Sequence, residues 1–394
     1  MPGTPSRRDR NLEALLDRIE DRLMDAPIGL HQVGEPADHD ALARAEMPEE
    51  AAALWRRWDG LELAGGEVVL FSLAEQDAAT REAEAAGILR PGDRVIGRHG
   101  LAALVIPADP WEEGGEVVMV EDDGERAPYA SSVVRLALGL VAEMALLHDD
   151  EGEYRDDLFA DDGQLSARAE RRLLRRRLDF DEDAPFPRFR LGQLLRRAGE
   201  LRGARAELRR VLRCAPEFAW AHWELGRVGL ELALTKDADE KGADERARAD
   251  AREEARASFA SAAEKTGDPN LRALFLAWQA RVAEEPERSQ LAAEVKRLDP
   301  GFVAAREAGL REAIEDQDGP RARELLALGL AIEPRSLALL GLRDAVAQLP
   351  EHEPIAEPMP VEEVAEAFDV DDDGLPSEAR SQPRPSARKR RRRR

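Results

Sequence analysis

Apolar residues fall at helical spacing in the first charged stretch, where Leu12, Leu15, Leu16, Ile19 and Leu23 mark one buried stripe. The polar loop "DAPIGLHQVGEPADHD" follows. A second helix starts with Pro48 in its first turn, carries Ala51, Leu54, Trp55 and Trp58 on one face, and is stopped by Asp59-Gly60. The periodicity then changes to that of strands: Glu67 to Phe71, Val95 to Gly97, "LAALVIP" after His99-Gly100, and Glu116 to Glu121. The turns "ADPWEEGG" and Asp122-Asp123-Gly124 separate the later runs. A long apolar helix entered at Ser131 or Ser132, "SSVVRLALGLVAEMALLHDD", closes this part. Helix, helix, several strands, helix predicts an α+β domain with an antiparallel sheet and flanking helices over 1–156.

Beyond it the pattern is all helical. Residues 157–184 read as a charged linker around one helix, "LSARAERRLLRRRL", whose arginines form a solvated face. From 185 to 349 a repeat emerges. Leu191, Gly192, Ala204 and Pro216 in one unit, then Leu225, Gly226, Ala255, Phe259 and Ala262 in the next, keep the spacing of a helical hairpin of about 34 residues. Small Gly192 and Ala204 let paired helices approach. Pro300 and Pro334 end a third and a fourth unit, and "TKDADEKGADERARADARE" inserts about 17 residues into the second, as an extended helix or a polar loop. This array resembles a tetratricopeptide-repeat solenoid capped by "RSLALLGLRDAVAQL". Trp220, Trp223 and Trp278 fall at core positions of its helices, and Cys214 fills a packed helix end. Residues 350–394 are Pro-rich and charge-segregated, the composition of a disordered tail.

The first part also carries a family resemblance. "MPEEAAALWRRWDGLEL", "VVLFSL", "RVIGRHGLAALVIP", "EVVMV" and "YASSVVRLALGLVAEM" resemble the SUKH superfamily, which includes Smi/Knr-type fungal cell-wall regulators and many bacterial immunity proteins. The matching positions are Met47-Pro48 before the helix, Trp58-Asp59-Gly60 at its end, Ile96-Gly97 and Gly100 in the glycine segment, and Ser132-Val133 at the last helix. Val133 stands where the family usually has an aromatic residue, and "AEQDAATREAEAAGILRPGD" is a polar insertion before the second strand. The resemblance implies a protein-binding fold, in bacteria one that commonly neutralises secreted toxins.

Charge changes the picture. The 394-residue chain has a formal net charge of −23, and its first 160 residues hold 15 Lys/Arg against 35 Asp/Glu. Such a surface steers basic partners and makes nucleic acid an unlikely main one, apart from weak contact through Lys389–Arg394. A purely solubilising surface is the competing reading. Trp111 beside Glu112 and Glu113, and Asp122 with Asp123, are the candidate partner-binding residues, Trp111 being equally readable as a buried turn residue. Asp369, Asp371, Asp373 and Gly374 space carboxylates as a calcium loop does, but the position of the loop's last ligand is Arg380, so a chance acidic linker is the alternative.

No catalytic signature assembles. The six histidines form no i, i+4 pair, and there is no nucleophile elbow, P-loop or dinucleotide fingerprint. No cofactor is implied. One cysteine and no stretch of about 20 apolar residues point to a cytoplasmic chain without a membrane span. The expectation is a non-catalytic protein-binding adaptor, possessing either an acidic immunity-type domain that docks a basic partner or, alternatively, a repeat scaffold that carries the main binding surface.

Overall fold

The computed structural model describes residues 7–45, 47–109, 115–160, 163–234 and 243–350. Seven strands form one antiparallel sheet in the order of the chain: β1 (His31–Val33), β2 (Leu61–Leu63), β3 (Val68–Leu70), β4 (Arg94–His99), β5 (Ala102–Ile106), β6 (Val117–Val120) and β7 (Arg126–Ala130). β1 lies inside the expected polar loop, while β2 and β7 were not expected as strands. All three are short segments that the sheet completes through backbone pairing, so their side chains give little alternation to read.

Both faces of the sheet are covered, which explains why "LAALVIP" and "EVVMV" are almost continuously apolar. Helices α1 (Arg7–Asp25), α3 (Glu49–Arg57) and α5 (Val133–Leu147) lie on one face, α2 (His39–Arg44) packing beside α3. There Ile19, Leu54, Trp55, Leu138 and Val141 pack against Leu63, Val68, Ile96 and Leu104. The other face is closed by α4 (Leu73–Ala85), which the polar insertion supplies. Its Ala79 and Ala83, with Ile88 and Leu89, cover Val95, Val105, Val118 and Val120. Ser72 and Glu75 form a reciprocal capping box at its start.

The motif residues act structurally. Pro48 is the N-cap of α3 rather than part of its first turn, and the helix ends at Arg57 with Trp58, 8% exposed, as an extended C-cap in the core. The Asp59 carboxylate accepts the Leu73 N–H at 2.7 Å, and the Trp55 indole donates to the Phe71 carbonyl at 2.8 Å, so this corner ties α3 to the entry of α4. Gly97 sits beside a register shift in β4, where a Cβ would come within 2.1 Å of the Val69 carbonyl oxygen. Only glycine fits that approach of β3. Ser132 is the N-cap of α5, accepting from Arg135 N–H, and Val133 is completely buried behind it.

The expected linker helix, α6 (Ala167–Phe180), belongs to the first core instead. Ala169, Leu173 and Phe180 pack with α5, and one of its arginines departs from the solvated face expected for the run. Arg177 is 6% exposed, lies 4.8 Å over the Tyr129 ring and faces Glu143 at 3.7 Å. A guanidinium can be buried there because a carboxylate neutralises it and an aromatic face stacks on it.

The helical array follows as α7 (Pro185–Arg197), α8 (Leu201–Cys214), α9 (Ala219–Leu234), α10 (Ala243–Lys265), α11 (Pro269–Val282), α12 (Glu287–Leu298), α13 (Phe302–Glu315), α14 (Gly319–Ile332), α15 (Leu337–Gly341) and α16 (Arg343–Ala347). Consecutive helices pair as four antiparallel hairpins, the solenoid-like arrangement the repeat predicted. The described part of the inserted stretch is helix, extending α10. The fourth hairpin docks differently from the others. Its second helix, α14, packs on both α11 and α12, and Leu328 and Ile332 enter the core of the third hairpin.

Sheet and array meet in a packed joint. Phe186 of α7 lies 5.2 Å from the Tyr129 ring of β7, and Asp181 accepts both the N–H (2.9 Å) and the hydroxyl of Ser131. Tyr129 is thereby in contact with both Arg177 and Phe186.

Candidate functional site

The β6–β7 turn is shaped by its own acidic residues. Gly124 N–H bonds to the Glu121 carbonyl at 2.9 Å, and the Asp123 carboxylate accepts Glu125 N–H at 2.9 Å. Asp122 and Asp123, both sequence candidates, are therefore exposed at the tip while Glu125 is aimed toward the helical array. Trp220, at the start of α9, meets it there and donates its indole N–H to the Glu125 carboxylate. Trp220 is only half-buried, in contrast to Trp223 and Trp278, which are in the core as expected. Its ring is propped edge-on by Trp223 at 5.2 Å and Phe275 at 5.3 Å.

The opposite wall is the α10–α11 connection. Asp268 caps α11 by accepting Asn270 N–H at 2.7 Å, and Lys265 bonds Glu217 at 2.7 Å. Between the walls lies a cleft of about 450 Å3 bordered by Asp123, Glu125, Trp220, Lys265 and Asp268. Two of its cations are already committed, Lys265 to Glu217 and Arg126 to buried Asp93 at 2.9 Å. Asp123, Glu125 and Asp268 pair with no cation among the described residues. Shielding in the cleft pushes the Glu125 pKa up; repulsion from Asp123, Glu121 and Asp268 adds to this and the Trp220 hydrogen bond opposes it. A carboxylate in that condition gains from a cation placed beside it.

The cleft thus takes in Asp123, with Asp122 on the adjoining tip, and adds Glu125 and Asp268, which the sequence reading did not single out, and Trp220, which it placed in the repeat core. The WELG-like start of α9 reads as repeat core, and nothing in the sequence pairs it with a turn 95 residues earlier. Trp111, Glu112 and Glu113 lie outside the described residues, as do Asp369, Asp371, Asp373 and Lys389–Arg394. Pro48, Trp58, Asp59, Gly60, Ile96, Gly97, Gly100 and Ser132 build the sheet unit and none borders the cleft.

A second set of titratable groups lies at the joint. His99 Nδ1 is 2.6 Å from the Tyr129 hydroxyl, and Tyr154 donates to Glu67 at 2.5 Å. Burial, reinforced by the Arg177 charge, lowers the His99 pKa, whereas burial and the Glu67 carboxylate push Tyr154 up to about 12. Among the described residues no group of three or more His, Cys, Asp or Glu is arranged to hold a metal ion. No described helix is long and apolar enough to cross a membrane. No family model matches the chain, and comparison with curated proteins finds no match.

Proposed function

We propose that the chain is a non-catalytic protein-binding adaptor whose junction cleft receives a basic segment of its partner. The observation that supports this most directly is the convergence of Asp123, Glu125 and Asp268, without cation partners among the described residues, around the half-buried Trp220. A lysine or arginine side chain entering there meets carboxylates for its charge and an indole for its stem. The excess of acidic residues in the first 160 positions speeds the encounter and selects against acidic competitors. A SUKH-like first domain, tetratricopeptide-like repeats and a cytoplasmic location are parts of the same proposal. So is the narrower role that the SUKH resemblance implies, neutralisation of a basic toxin.

Placing the cleft between the two units combines the domain-only and repeat-only expectations, since sheet and repeats each supply one wall. The test is fluorescence anisotropy of a labelled octalysine peptide with the full chain and with Glu125→Gln/Asp268→Asn. The double variant should bind about five- to thirtyfold more weakly at moderate salt, two charge contacts being worth about 1–2 kcal/mol together. Equal binding by both proteins would remove the cleft from the proposal, and no binding to either would remove its basic partner.

A further inference from the structure

A second polar cluster lies away from the cleft, on the stripe of α9 that continues from Trp220 through Trp223 and Arg227 to Glu231. Arg227 lies over two indoles, 4.7 Å from the Trp223 centroid and 5.3 Å from that of Trp278 on α11. Arg281, one turn after Trp278, lies 4.6 Å over the same ring. Arg196 of α7 is the third guanidinium, ion-paired with Glu224 at 2.5 Å and Glu231 at 2.7 Å. Glu224 is shared with Arg227 at the longer distance of 3.9 Å.

This cluster is incompletely satisfied. The indole nitrogens of Trp223 and Trp278, Oε2 of Glu224 and Nε of Arg227 are buried without hydrogen-bond partners. The two tryptophans are 9% and 3% exposed, and their ring centroids are 6.0 Å apart. The three donors among these groups, the two indoles and Arg227 Nε, carry a desolvation cost that a ligand with acceptor atoms would relieve. Arg281 hydrogen-bonds no carboxylate among the described residues. Burial depresses the pKa of both Arg227 and Arg281, with guanidinium repulsion adding to it, while Glu324 acts in the opposite direction on each.

Glu324 comes from far along the chain. It sits on α14 and takes Arg227 at 2.8 Å across 97 residues, because the fourth hairpin docks through its second helix. Without Glu324, Arg227 would keep only the longer contact to Glu224, and Arg281 hydrogen-bonds no carboxylate among the described residues. Such an opening suits a single carboxylate.

We propose that this face is a second binding site, for a carboxylate-bearing peptide, and that Glu324 stands in the ligand's place and latches the fourth hairpin over it. A peptide carboxylate would replace Glu324 on Arg227 and reach Arg281, where guanidinium geometry favours paired hydrogen bonds. Its backbone carbonyls would supply acceptors for the indoles. The site differs from the junction cleft in position and in the charge it selects.

The test is anisotropy of a fluorescein-labelled octaglutamate peptide with the full chain, Glu324→Gln and Arg281→Gln, at an ionic strength that screens the acidic surface. Glu324→Gln should bind about tenfold tighter than the unaltered chain, the gain expected when an open state populated at about one part in ten becomes dominant. Arg281→Gln should abolish binding, with Arg281→Lys restoring part of it. Glu324→Gln binding no tighter than the unaltered chain would overturn the latch. Octaglutamate binding to none of the proteins, or to Arg281→Gln as well as to the unaltered chain, would overturn the site.

Discussion

Gly226 gives the sharpest test of how the helical array is packed. A Cβ built there would lie 2.5, 2.6 and 2.9 Å from three atoms of the Phe259 ring. The ring has nowhere to go, being completely buried and stacked on Trp278 at 5.4 Å with 30° between planes. Overpacking of this kind costs about 3 kcal/mol, at the upper end for one methyl group, while alanine in a helix interior returns about 1 kcal/mol. Gly226→Ala should therefore destabilise the array by about 2 kcal/mol. Phe259→Ala alone should cost about 3–5 kcal/mol through the cavity it leaves. In that background the clash is gone and only the helix-forming gain remains, so adding Gly226→Ala should stabilise by about 1 kcal/mol. Urea unfolding followed by far-ultraviolet circular dichroism, to which the helices of the array contribute most, would measure all three variants. Equal effects of Gly226→Ala in both backgrounds would refute the close approach of α9 and α10.

Two further predictions concern the joint. Burial lowers the pKa of His99, so the folded chain binds fewer protons there than the unfolded chain, whose imidazole titrates near about 6.5. His99's contribution is complete above that value and is lost as pH falls below it; thermal midpoints from pH 7.5 to 5.5 should decline less steeply for His99→Gln, and parallel curves would exclude the histidine. Arg177→Met would leave Glu143 buried beside Tyr129 without its cation and should cost about 3–5 kcal/mol, most of it recovered in Arg177→Met/Glu143→Leu, as urea midpoints would show.

The α+β unit followed by helical hairpins was legible because its long elements have strong periods: α1, α5, and the Leu191-Gly192 and Leu225-Gly226 positions. What escaped has physical reasons. The insertion around α4 is polar because only one stripe of it meets the sheet, so its role in covering Val105 and Val118 does not show in its own composition. The arginine run of α6 reads as solvated until Tyr129 and Glu143, distant in sequence, are brought around Arg177. The acidic turn Asp122-Asp123-Gly124 was visible as a candidate, whereas its pairing with Trp220 depends on how Phe186 and Asp181 seat the array against β7. Pro300 and Pro334 bracket the fourth hairpin but carry no information about which of its helices faces the third.

The chain-order sheet has a consequence for synthesis. Each strand pairs with the one made just before it, so the ribbon can grow as the polypeptide emerges, with little loop closure to wait for. Its main apolar face, however, has only α1 and α3 to cover it until α5 and α6 have been translated, and Leu63, Ile96 and Leu104 stay partly exposed in the interval. A ribosome-stalled chain ending near residue 130 should therefore engage chaperones that read apolar strands, and one extended past residue 180 should release them.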